Sequence, residues 1–150
     1  MQPEDNEQLR TYETLLRKWN AKINLVSKNT LGDLWCRHFD DSAQLLDIFD
    51  FPRGCSVLDI GSGAGFPGLV LAIMRPDLDV HLIESDSRKC AFLRTVSSET
   101  KTAVTIYNER AEHILSRKFY ADVITARAFA DLESLFHHTR EVFAGNENCK

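Results

Sequence analysis

Val57-Leu58-Asp59-Ile60-Gly61-Ser62-Gly63-Ala64-Gly65-Phe66-Pro67-Gly68 is the stretch on which the reading of this 150-residue chain turns. Val57 to Ile60 is an apolar run with one acid, of strand length and closed by glycine. Four glycines then fall within eight residues, and an apolar segment of helical length, 66–75, overlaps their end. Glycine tolerates positive φ and lets a ligand approach the backbone closely. A glycine turn from strand into helix also aims backbone N–H groups at whatever lies over it. A plain turn needs fewer glycines, so the segment reads as a ligand loop at the carboxyl end of a parallel strand.

The neighbouring residues narrow the ligand. Leu69 and Val70 stand where a phosphate-binding P-loop needs Lys and Ser or Thr, which argues against triphosphate hydrolysis. Gly63, Gly65 and Gly68 satisfy G-x-G-x-x-G, a weak sign of a dinucleotide. Glu84, ending the next strand, suits the ribose of either a dinucleotide or S-adenosylmethionine. Asp59 is the discriminator: its carboxylate would repel a pyrophosphate but can act, directly or through water, on a cationic aminoacyl end. The loop therefore favours S-adenosylmethionine, with an NAD(P)-dependent oxidoreductase as the weaker alternative.

Outward from the loop the two flanks differ. Leu9, Tyr12, Leu16, Trp19 and Ile23 recur at helical spacing, with Asp5 and Gln8 placed as a capping box. A second periodic stretch covers 31–49, and Phe51-Pro52-Arg53-Gly54 is turn chemistry. Residues 1–52 thus read as an N-terminal helical cap. Residues 53–150 alternate strands (56–60, 80–83, 104–107, 122–126) with helices (66–75, 86–99, 131–143, and a short turn near 111–115). That alternation implies βαβ units and a doubly wound α/β domain with a parallel sheet. The last helix should feed a fifth strand, so a longer sheet than this chain supplies is expected.

Composition sets the outer bounds. An apolar fraction of 43% and a charged fraction of 27% are those of an ordinary globular domain. No apolar run is long enough to span a membrane, and Met1 to Arg10 has no signal-peptide pattern, so a cytoplasmic, monomeric protein is expected. Cys36, Cys55, Cys90 and Cys149 show neither paired spacing nor histidines placed for zinc, so they read as reduced thiols with no metal.

Five stretches occur together: Trp19 to Leu25, Arg37 to Ser42, the glycine loop, Arg110-Ala111-Glu112, and Arg127-Ala128-Phe129-Ala130. In order and spacing they resemble the bacterial small-subunit ribosomal RNA methyltransferase G family, also called glucose-inhibited division protein B. The resemblance covers about residues 10–150. It implies a Rossmann-like class I fold and transfer of a methyl group from S-adenosylmethionine to nitrogen 7 of a guanine in 16S ribosomal RNA. It also implies cofactor contacts at Gly61, Phe66, Ala111, Glu112 and Arg127, and family members continue past this chain's end with further strands.

The residues are compatible with that reaction class. No Pro-Pro follows the fourth strand, where exocyclic-amine methyltransferases commonly carry one, and neither Cys90 nor Cys149 has a partner base. Guanine nitrogen 7 has a lone pair and no proton to lose, so alignment matters more than a general base, and no catalytic residue is assigned. Arg127, at a strand end, reads as a site residue, whereas Glu112 reads equally as a helix-start carboxylate. His38 and Trp19 read as packed core, and His137 and His138 receive no role. Arg10, Arg17, Lys18, Lys22 and Lys28, against Glu13 alone, give a local net of +4 in a chain of net charge −4. They could contact RNA phosphates, although a solvated helix face is the plainer reading. A non-catalytic cofactor- or RNA-binding fragment is the alternative of another class.

Overall fold

The computed structural model describes residues 2–117 and 119–127. Helix α1 (Glu7–Ile23) is capped by Asn6, whose side chain accepts from the Leu9 amide at 3.1 Å. The expected Asp5–Gln8 box is therefore not used. Gln8 turns away and donates to the Thr100 carbonyl at 2.6 Å, tying the start of α1 to the end of α5 (Ser87–Thr100). Leu9, Tyr12 and Leu16 are fully buried, while Trp19 and Ile23 pack half-buried against the same core.

The stretch 31–49 is not one helix. It divides into a 3-10 segment (Lys28–Asp33), a π segment (Trp35–Asp40), and two short helices, α2 (Asp41–Ala43) and α3 (Leu45–Ile48). The reason lies in the apolar spacing. Leu34 and Phe39 are both buried but lie five residues apart, a step that an α-helix would turn about 140° away from one face. The wider i→i+5 turn keeps both on the core side.

Strands β1 (Ser56–Ile60), β2 (Asp79–Ile83), β3 (Thr105–Tyr107) and β4 (Val123–Thr125) form a parallel sheet in the order β3-β2-β1-β4. Helices α4 (Gly68–Met74) and α5 follow β1 and β2, and the short α6 (Ala111–Leu115) follows β3. Alternate residues of β1 enter different clusters. Val57 joins α1, α4 and α5, whereas Leu58 and Ile60 join Ile114 and Leu115 of α6. The sheet is thus covered on both faces, as a parallel sheet must be. The N-terminal helices share the larger cluster with α4 and α5 and have no core of their own. The expected helix 131–143, Cys149, His137 and His138 lie outside the described residues.

Strand order reverses between β1 and β4, and such a switch point opens a crevice at the strands' carboxyl ends. The glycine loop leaves β1 at that crevice. Among the described residues no helix is long and apolar enough to cross a membrane, and no cluster of metal-ligating side chains occurs.

Candidate functional site

The loop is shaped from below. Gly61, Gly63 and Gly65 all have positive φ. A Cβ at Gly65 would strike Tyr12 Oη and lie 2.6 Å from Leu69 Cδ1, so α1 and α4 require glycine there. Gly68 is equally constrained, since a Cβ would lie 2.7 Å from Asp59 Oδ2 and collide with Leu82. Tyr12 Oη donates to the Ala64 carbonyl, and its ring stacks on Phe66 at 5.3 Å, so α1 pins the loop directly.

Asp59 is wholly buried and does not line the crevice. Its Oδ1 accepts from Thr125 Oγ1 at 2.9 Å, and its Oδ2 accepts from the Gly68 amide at 3.3 Å. The carboxylate, expected at the ligand, lies beneath the loop, where it ties β1 to β4 and to the first turn of α4. Helix α4 begins at Gly68, with Pro67 as its N-cap, and not at 66. Burial pushes the Asp59 pKa up to about 7, opposed by the bonds from Thr125 and Gly68 and by the charge of Arg127.

Above the loop is a cavity of about 760 Å³, within the usual range for small-molecule sites. Of the residues expected from sequence, Gly61, Gly63, Phe66, Glu84, Ala111, Glu112 and Arg127 line it, whereas Asp59 and Gly65 do not. Glu84 Oε1 accepts from the Gly63 amide at 2.9 Å and Oε2 from the Asp86 amide at 2.8 Å. Each carboxylate oxygen keeps a lone pair for a hydroxyl. Ala111 and Glu112 begin α6 at the opposite rim.

Arg127 closes another wall. Its Nη2 donates to the Arg37 carbonyl at 2.6 Å and lies 3.3 Å from Asp41 Oδ2, and its guanidinium sits 5.9 Å from the Phe66 ring centre. Its Nη1 is 3.1 Å from His38 Nδ1. Arginine can only donate, so Nδ1 accepts, and the imidazole proton lies on Nε2, facing Thr30 Oγ1 at 3.1 Å. Burial, and then the Arg127 charge, hold the His38 pKa below its ordinary value. His38 is packed on Phe66 at 5.0 Å and hydrogen-bonded, as expected, but it lines the cavity and does not lie in the core.

Leu25, Val26, Lys89 and Arg110 also line the cavity without having been singled out. The sign for Leu25 and Val26 was the asparagine pair. Asn24 takes a left-handed conformation after α1, and Asn20 Oδ1 accepts from both amides at 2.7 and 2.9 Å. The basic residues do not form one stripe. Arg10 and Arg17, seven apart, share a face of α1, while Lys18 and Lys22 lie roughly 80–140° around it, and Lys28 lies beyond the helix. Arg17 is engaged with Glu13 and the Leu31 carbonyl, and Arg10 with the Glu4 carbonyl.

Solved structures share this architecture. A Methanococcus maripaludis protein assigned as an S-adenosyl-L-methionine-dependent methyltransferase superposes with a TM-score of 0.61 over 89% of this chain and 56% of its own. At 15% identity that likeness establishes the fold. Ribosomal RNA small subunit methyltransferase G of Paramagnetospirillum magneticum is 54% identical over 129 residues, covering 86% of this chain and 61% of the relative. The Rhodospirillum centenum protein of the same name is 55% identical over 130 residues, covering 86% and 58%. The chain thus spans about three fifths of the length of these relatives. The family model described as rRNA small subunit methyltransferase G matches residues 5–149, nearly the whole chain, and on that match the chain belongs to the rRNA small subunit methyltransferase G family.

Proposed function

We propose that this chain transfers a methyl group from S-adenosylmethionine to nitrogen 7 of a guanine in 16S ribosomal RNA. The observation that carries the reading is the cavity at the β1–β4 switch point, in a chain of this family. Its residues fit that cofactor. Gly61 has open space where a Cβ would be, Glu84 offers acceptors for a ribose diol, and Ile60, Ile83 and Ala111 supply apolar wall for an adenine. No residue of the loop replaces the P-loop lysine.

When bound, S-adenosylmethionine supplies an electrophilic methyl group, whose bonding pair leaves on sulfur as guanine nitrogen 7 attacks with its free lone pair. The protein's work is then binding, orientation and exclusion of water. Tyr12 and Asp59 hold the loop rigid, Glu84 fixes its open end, and the Arg127–His38–Phe66 wall shapes the side toward the substrate. No residue is needed as a proton acceptor. His38 keeps its Nδ1 lone pair on Arg127 and its proton toward Thr30.

The partner is 16S ribosomal RNA or the small ribosomal subunit, and the protein acts as a monomer in the cytoplasm. Calorimetric titration with S-adenosylhomocysteine, with NADH in parallel, tests the cofactor. Micromolar binding of the first and none of the second is expected, and binding of NADH alone would refute the reading. Single-turnover transfer to ribosomal RNA separates an enzyme from a binding fragment.

A further inference from the structure

A second cavity, of about 410 Å³, adjoins the first at Arg127, which lines both. Leu45 and Pro67 supply apolar wall, and Asp41, Gln44 and Arg127 supply polar groups. Ser42, in the same wall and 2% exposed, carries a hydroxyl with no hydrogen-bond partner among the described residues. Among those residues the wall therefore has polar capacity left unmet. The Asp41 carboxylate is held 3.3 Å from Arg127, yet its side chain is 57% exposed. It is oriented and still open to a ligand.

We propose that this second cavity receives the base to be methylated, and that Asp41 selects guanine by accepting from its N1–H and its exocyclic amine. The inference rests on the methyltransferase reading above and adds the site and the residue. A base that undergoes chemistry leaves its stack and is read along its Watson–Crick edge, between apolar or aromatic walls. On that edge guanine presents two adjacent donors. A carboxylate is acceptor-only with two oxygens, so it matches the pair. Adenine presents an unprotonated N1 there, which a carboxylate repels.

The orientation also serves the reaction. Nitrogen 7 lies on the edge of guanine away from N1 and the amine, so a grip by Asp41 leaves it free to face the neighbouring cavity. Arg127 is itself held in place: one Nη1 proton goes to His38, and its two Nη2 protons face the Arg37 carbonyl and Asp41. Asp41 is a specificity residue here and supplies no step of the transfer.

The test is equilibrium binding of guanosine, inosine and adenosine monophosphates to the chain saturated with S-adenosylhomocysteine, for the natural sequence and for Asp41→Asn. Inosine differs from guanosine only by lacking the exocyclic amine, so the two nucleotides and the two proteins form a double-mutant cycle. Loss of a hydrogen bond to a charged group predicts that guanosine monophosphate binds about tenfold or more tighter than inosine monophosphate, with the adenosine nucleotide weaker still. In Asp41→Asn the guanosine-to-inosine ratio should fall to within about twofold. Affinity for S-adenosylhomocysteine should stay unchanged, which also reports that the variant is folded. Equal binding of guanosine and inosine nucleotides by the natural chain overturns the proposal, as does the absence of guanosine monophosphate binding. So does a guanosine preference that survives in Asp41→Asn. Equal weakening of all three nucleotides would make Asp41 a positioning residue acting through Arg127, and would equally overturn base contact. Those failures leave the cofactor reading standing. A folded natural chain that does not bind S-adenosylhomocysteine refutes the reading itself, and the inference with it.

Discussion

Asp59 gives a quantitative test of how the loop is held. Its carboxyl is fully buried between Thr125 and Gly68, with its pKa raised from 3.8 to about 7. A raised pKa means that the folded chain binds this proton more tightly than the unfolded one. Stability from the group is therefore fully present below about pH 4, declines with pH between about 4 and 7, and is constant above. At about 1.4 kcal/mol per pH unit across roughly three units, the loss amounts to about 4 kcal/mol. Asp59→Asn removes the titration and keeps the contacts, since its Oδ1 can accept from the Gly68 amide while its Nδ2 donates to Thr125 Oγ1. Urea unfolding at intervals from pH 4 to pH 8.5 isolates the effect as the difference between the two proteins. That difference should shift by several kcal/mol in favour of the variant as pH rises to 7, then level off. A difference flat across the range would refute the buried-carboxyl account.

Three further outcomes follow from the same geometry. Tyr12→Phe keeps the stack on Phe66 but leaves the Ala64 carbonyl without its donor, so it should lower unfolding free energy by about 1–3 kcal/mol. It should also weaken S-adenosylhomocysteine binding in calorimetry; unchanged stability and affinity would deny that α1 pins the loop. Gly68→Ala drives a methyl group into Leu82 and Asp59, and an overpacking cost of about 1–3 kcal/mol is expected as a lowered urea midpoint. Arg17 is taken up by Glu13 and the Leu31 carbonyl, so Lys18 and Lys22, exposed and four residues apart, are the cations of α1 that can meet phosphates. Reversing both charges should weaken ribosomal RNA binding and flatten its dependence on salt, and unchanged affinity would reject a phosphate-contacting role for α1.

Where the sequence was legible, local and global signals agreed. The apolar run before the glycines could only be a buried strand, and its two neighbours in the sheet were equally plain. The loop's place followed from where parallel strands end. Four features were not legible, each for a physical reason. The segment 31–49 carried apolar residues at both helical and five-residue steps, and only packing of Leu34 and Phe39 on one core shows why it widens into a π turn. Asp5 and Asn6 are both capping residues, and the choice fell to Asn6 because Gln8 is drawn to Thr100. Asp59 was placed correctly along the chain but not in depth. An acid on a strand end can face the ligand or the packing beneath it, and here Thr125 on the neighbouring strand and Gly68 take both its oxygens. His38 was hidden for the converse reason, since an apolar stretch conceals one side chain that faces the cavity.

The measurement closest to the central claim is transfer of a labelled methyl group from S-adenosylmethionine to small ribosomal subunits that lack the modification, followed by nucleoside analysis of the 16S RNA. The account predicts label in 7-methylguanine at a single site. Label in another nucleoside, or none although S-adenosylhomocysteine binds, would contradict it.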